Sequence, residues 1–180
     1  MADDAVAAGA FVLLGIEPSF RVTRATVEAA YLARIAGAHP DMGGAGADPA
    51  ALNDARRALL DNETRANLVL AAVGGPGAGD DRSLPDGFLQ EMMATRMEIE
   101  ESIEADGDAG RAQWSAWAEE RRETEVAAIG ALFDVARDDP GGGSGVRFSE
   151  IRRRLNAWRY TERLLEQLDP GYDPQRADFS

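Results

Sequence analysis

Apolar residues return every three or four positions through almost the whole chain, and no stretch alternates convincingly with a period of two. The first pattern places one apolar stripe along a helix, and the second would be needed for a half-buried strand. The chain is therefore predicted to be all-α. The pattern is broken where glycine and proline gather: Gly74-Gly75-Pro76-Gly77-Ala78-Gly79, Pro140-Gly141-Gly142-Gly143-Ser144-Gly145, and a small-residue stretch from Gly43 to Ala47. These breaks read as a linker, a loop between helices and a second loop.

Four helices are expected up to about Val73. The first, around Val6 to Leu14, stops at Gly15. The second follows Thr23, an N-cap residue type, and carries Val27, Tyr31 and Ile35 on one face. The third opens on Asp48-Pro49, a capping residue followed by proline at the first helical position. Leu52, Ala55 and Leu59 line its inner face. The fourth spans roughly Glu63 to Ala72. Beyond the linker, three longer helices are expected at about Pro85 to Glu104, Arg111 to Arg137 and Ser149 to Leu168. Long amphipathic helices with short connections predict an antiparallel three-helix bundle. The expected organisation is residues 1–73, a glycine-rich linker over 74–84, and a bundle over 85–180.

Charge and composition narrow the function. The net charge is -13, the wrong sign for a phosphate backbone or an anionic membrane surface. There are no cysteines, so neither disulfides nor thiolate-held clusters can form. Asp3 and Asp4, with no cation before them, are unlike a signal peptide. No apolar run approaches the length of a membrane span. A cytoplasmic protein is expected, with neither nucleic acid nor membrane as partner.

One tripeptide carries chemistry. His39-Pro40-Asp41 follows the second helix and holds the only histidine of the chain. Read alone, it is a helix stop, because proline cannot continue the helix and aspartate starts a turn. Its surroundings give it a second reading. The apolar helix before it, the run Leu52-Asn53-Asp54-Ala55-Arg56-Arg57-Ala58-Leu59-Leu60 after it, and the stretch Asp61-Asn62-Glu63-Thr64-Arg65-Ala66 together resemble a J domain over about residues 9 to 72. The resemblance implies an antiparallel helical hairpin with short flanking helices. It also implies that His39, Pro40 and Asp41, with Arg34 on the second helix, contact a DnaK/HscA-type ATPase chaperone and trigger ATP hydrolysis there. A stiff proline loop costs little to order on docking, and Asp41 can accept charge-assisted hydrogen bonds. The family's basic second helix is reduced here to Arg34 with Arg24 just before it. Ala38 and Met42 stand where an aromatic residue and lysine are usual. Weaker electrostatic steering and a slower encounter are expected, with Arg56 and Arg57 as possible compensating cations.

The remainder of the chain resembles the C-terminal domain of HscB co-chaperones. The resemblance is carried by Leu84-Pro85-Asp86-Gly87-Phe88-Leu89-Gln90-Glu91-Met92-Met93, by Arg96-Met97-Glu98, and by Trp158-Arg159-Tyr160-Thr161-Glu162-Arg163-Leu164 in the last helix. It implies binding of an iron–sulfur cluster scaffold protein (IscU-like) through Leu89, Gln90, Met93, Ala94, Met97, Glu101 and Tyr160. Ala94 and Met97 replace residues that are usually acidic in the family. The residues themselves leave two possibilities open. Phe88, Met92, Ile99 and Ile103 lie near one face of the helix, and Leu89, Met93 and Met97 on a neighbouring one. That wide apolar arc is either buried on two sides or partly exposed as a methionine-rich docking patch.

The resulting expectation is a non-enzymatic co-chaperone with no catalytic residue, no cofactor and no metal. The alternative is a general J-domain co-chaperone whose bundle grips a different client. Glu98, Glu100, Glu101 and Glu104 lack the histidines that carboxylate-bridged metal bundles use. Trp114 and Trp117 are expected in the core, with Ile129, Leu132 and Phe133 continuing their stripe. Arg152, Arg153 and Arg154 are expected on a solvated face, pairing with acids.

Overall fold

The computed structural model describes residues 9–37, 48–138 and 143–166. Seven helices and no strand occur among them. They are α1 (residues 9–14), α2 (Arg24–Gly37), α3 (Pro49–Leu60), α4 (Asn62–Ala72), α5 (Phe88–Asp106), α6 (Asp108–Asp138) and α7 (Ser144–Glu166). The all-α reading is therefore met.

The helix ends follow local chemistry. Thr23 Oγ1 accepts the Thr26 N–H at 3.1 Å and caps α2. Asp48 caps α3 by accepting the Ala50 N–H at 3.0 Å, with Pro49 in the first turn. Asp61 caps α4 through the Thr64 N–H at 2.7 Å. Helices α1 and α4 end in the same way. Gly15 (φ 68°) and Gly74 (φ 72°) take the left-handed conformation. The next two N–H groups then reach back to close the last turn, Gly15 to Val12 and Ile16 to Phe11, Gly74 to Ala71 and Gly75 to Leu70. The stretch expected as a linker thus begins as a helix cap, and Gly75 lies so close to the Leu70 side chain that a β-carbon would collide with it.

The described chain divides into two compact units, and their limits do not follow the glycine-rich breaks. Unit 1 comprises the residues up to Asp81 together with Ile129–Arg152. Unit 2 comprises Arg82–Ala128 and the residues from Arg153 onward. The end of α6 and the start of α7, expected within the bundle, therefore belong to unit 1.

In unit 1, α2 and α3 form an antiparallel hairpin. Glu28 meets Arg56 and Tyr31 meets Asn53, so positions rise on one helix as they fall on the other. Val27, Leu52 and Leu59 are fully buried at its seam. Phe20 meets Phe133 with ring centroids 5.5 Å apart, and Ile129 and Ile151 are fully buried. Each such burial stabilises by roughly 1.5–3 kcal/mol. Ile129 and Phe133 therefore belong to this core rather than to the tryptophan stripe of α6. The expected solvated face is corrected as well. Arg152 is buried, and its guanidinium bonds to Asn67 Oδ1. The cause is tertiary: α4 brings an amide acceptor to a position that the sequence offers to solvent.

In unit 2, α5, the first part of α6 and the last part of α7 form a three-helix bundle. Phe88 and Met92 pack with Ala157, Trp117 and Leu164. Ile99 packs with Trp114, Ile103, Trp117 and Leu164. The two tryptophans meet edge to face at 5.4 Å. Only Gly107 separates α5 from α6; its φ of 56° turns the chain, so α6 starts three residues before the expected Arg111. Gly110 then passes so close to the Ser102 carbonyl that a β-carbon would lie 2.5 Å from its oxygen. On the α7 side, Arg122 forks onto Glu162 (2.6 Å to both oxygens), which also accepts the Trp158 indole N–H at 2.7 Å. Arg154 pairs with Glu125 at 3.1 Å.

Candidate docking surfaces

The first candidate surface lies on unit 1. His39, Pro40 and Asp41 fall outside the described residues. Arg34, on the last turn of α2, is exposed. Its guanidinium rests on Gly15, in the space that a β-carbon would occupy. There it lies beside the carbonyl end of α1, a favourable place for a cation.

The other cations of this hairpin are engaged. Arg56 forks onto Glu28, with both contacts at 2.7 Å, and lies 5.4 Å from the centre of the Tyr31 ring. The hydrogen bond from Arg56 holds the Glu28 carboxyl below its ordinary pKa, and the same bond raises that of Arg56. Arg24 approaches Glu28 at 3.8 Å, and Arg57 pairs with Asp54 on its own helix. Arg56 therefore works within the hairpin instead of replacing the missing basic face.

Behind the hairpin, Arg65 is buried. It donates to the carbonyls of Phe20 (3.1 Å) and Leu59 (2.5 Å) and to Asn62 Oδ1, and it stacks on the Phe20 ring at 5.2 Å. Burial lowers its pKa, with nearby Asp61 opposing the effect. Arginine remains charged through such a shift. This one side chain ties the loop before α2 to the α3–α4 junction.

The second candidate surface is the outer face of α5 in unit 2. Leu89, Met93 and Met97 succeed one another at intervals of four and are 48%, 71% and 63% exposed. Gln90, Ala94 and Glu101 are exposed on the same helix. Phe88, Met92 and Ile99 are buried on a neighbouring face. The wide apolar arc is thus one buried stripe beside one open stripe among the described residues. Tyr160 of α7 joins the open stripe, 49% exposed, with its ring edge-on to Phe88 at 6.0 Å.

All seven residues expected to meet a scaffold are therefore on the open surface of unit 2. Between α5 and α7 runs a groove of about 390 Å³, lined by Leu89, Met92, Met93, Arg96, Tyr160, Arg163 and Leu164. The sequence reading missed Arg163 and Leu164 as groove residues. Their spacing of three and four from Tyr160 was the available signal. No cluster of three or more potential metal ligands occurs among the described residues. No helix among them is long and apolar enough to cross a membrane.

The described chain is all-α, with a helical hairpin in its first unit and a three-helix bundle in its second. Comparison with solved structures finds this fold in the crystal structure of human co-chaperone protein HscB, with a TM-score of 0.65. The two sequences are 23% identical, over 88% of this chain and 79% of that one. No family model and no curated protein matches the sequence.

Proposed function

We propose that this protein is a co-chaperone of the HscB kind. It stimulates ATP hydrolysis by a DnaK/HscA-type chaperone and delivers an iron–sulfur cluster scaffold protein to it. The observation that carries the reading is the open stripe of Leu89, Met93, Met97 and Tyr160 on a fold shared with human HscB. Large exposed apolar side chains grouped on one helix mark a protein-binding surface, and methionine adapts its shape to the partner.

In this reading the partner chaperone is met by His39, Pro40 and Asp41, with Arg34 nearby. Asp41 accepts hydrogen bonds from a cation of the chaperone, and proline limits the entropy lost on docking. The scaffold lies on Leu89, Gln90, Met93, Ala94, Met97, Glu101 and Tyr160. The protein supplies docking surfaces and no catalytic group, and the hydrolysis occurs in the chaperone. The proposed division of labour assigns the chaperone to unit 1 and the scaffold to the α5 face of unit 2, in a cytoplasmic setting.

The test is single-turnover ATP hydrolysis by a DnaK-type chaperone, with and without this protein and a purified cluster scaffold. The wild type accelerates turnover, and His39→Gln abolishes the acceleration while the circular dichroism spectrum is unchanged. An equal rate enhancement by the variant defeats the chaperone half of the reading. Acceleration without any scaffold binding leaves a J-domain co-chaperone for another client.

A further inference from the structure

The groove between α5 and α7 has a charge pattern opposite to that of its surroundings. Helix α5 carries Glu91, Glu98, Glu100, Glu101, Glu104 and Asp106 against a single arginine. Yet the charged side chains lining the groove are Arg96 and Arg163, with no acid among them. The other walls are Leu89, Met92, Met93, Tyr160 and Leu164.

The two arginines differ from their neighbours in how they are used. Arg121, Arg122 and Arg154 of the same unit each hold a carboxylate, at 2.6, 2.6 and 3.1 Å. Arg163 is half-buried and has no carboxylate partner among the described residues. Among the described residues, Arg96 pairs with Glu100, one turn along the same helix, at 3.1 Å and in solvent. Such an exposed pair is weak and readily exchanged. A guanidinium with an apolar wall on one side and no internal acid is a receptor for an external carboxylate, which it grips by two parallel hydrogen bonds.

We infer that this groove reads a partner segment in which a large apolar residue stands next to an aspartate or glutamate. The apolar side chain enters between Met93, Tyr160 and Leu164, and the carboxylate is held by Arg163 with Arg96. The inference rests on the α5 face being a docking surface and adds the chemistry that it selects. The chain's overall negative charge does not forbid it, because charges beyond roughly 8 Å are screened at physiological ionic strength.

The probes are three fluorescein-labelled peptides of one length, built on Leu-Asp, Leu-Asn or Leu-Lys repeats. They are titrated with the full chain at physiological salt and followed by fluorescence anisotropy. The Leu-Asp peptide binds about tenfold more tightly than Leu-Asn, and Arg163→Gln brings the two to parity. Should that variant melt early, Arg163→Lys serves instead, since it keeps the charge, loses the fork and reduces the preference. Tyr160→Ala weakens both peptides. Equal affinities for the wild type, tightest binding of Leu-Lys, or indifference to Tyr160→Ala overturns the inference. So does a concentration-dependent dimer that Tyr160→Ala disperses, because a second copy would then fill the groove. Scaffold binding by the same variants separates the two ideas. Parity of the peptides with loss of scaffold binding in Tyr160→Ala sinks only the carboxylate reading. Peptide preference without scaffold binding sinks only the scaffold.

Discussion

Unit 1 turns its buried arginines inward, whereas unit 2 pairs most of its own but leaves two, Arg96 and Arg163, on an open groove. In unit 1, Arg56 is locked on Glu28, Arg21 reaches Asp134 at 2.8 Å, and Arg65 and Arg152 are buried on amide and carbonyl acceptors. Unit 2 has a core of aromatic and aliphatic side chains and keeps Arg96 and Arg163 on an apolar groove. The difference shows what each arrangement can do. A guanidinium held on acceptors inside one unit fixes the geometry of loops and helices. One left at the edge of an apolar wall retains binding capacity. Cations in a sequence are therefore a poor guide to a basic docking face: Arg24, Arg56 and Arg57 of the hairpin are engaged by its own acids.

The contrast can be broken most severely at Arg65. Arg65→Ala leaves two backbone carbonyls without their charged donor and removes the stack on Phe20, so unfolding in urea should show a loss of about 3 kcal/mol. A loss near zero would mean that the buried cation is not what holds the hairpin's rear. The next comparison is between neighbours on α7. Arg152→Ala should cost about 2 kcal/mol, because a buried side chain is lost and Asn67 Oδ1 loses its charged donor. Arg154→Ala, two residues on, should cost less than about 1 kcal/mol, because its pair with Glu125 is partly solvated. Equal values would restore the three arginines to one solvated face.

On the outward side, Met93→Ala with Met97→Ala should change stability by no more than about 0.5 kcal/mol, since both side chains are already in water. Scaffold binding should fall clearly at the same time. A collapse of the melting temperature would place those methionines in the core. The smallest expected effect sharpens the account of the hairpin. The folded-state pKa of Glu28 is lowered by Arg56. Its contribution is therefore present above the unfolded carboxylate pKa and is lost as pH falls through the lower, folded value. Acid titration of stability in Glu28→Gln should lack that component below about pH 4.5. An unchanged acid limb would show that the pair is already broken by solvent.

Most helices could be read from the chain because their causes are local. Thr23, Asp48 and Asp61 cap the helices that begin beside them, and Gly15 and Gly74 end the helices before them. The observed boundaries differ where one glycine, rather than a whole loop, turns the chain. Gly145 lies inside α7 because the helix already begins at Ser144, after the positive φ of Gly143. Gly107 makes the α5–α6 turn alone, where a longer loop was expected. The candidate surfaces divide in the same way. The i, i+4 row of Leu89, Met93 and Met97 could be read in the sequence, but whether that row faced a neighbour or water could not.

The order of residues thus determined the helical class, the capping points, the apolar stripes and the row of methionines, since each depends on neighbours within about two turns. The tertiary structure alone decided that Arg152 is buried on Asn67, that Ile129 and Phe133 belong to the hairpin's unit, and that the methionine row stays uncovered beside an arginine-edged groove. The reason is distance along the chain. Burial and pairing are properties of residues brought together from 85 positions apart, as Asn67 and Arg152 are. No local pattern records which partner will be waiting.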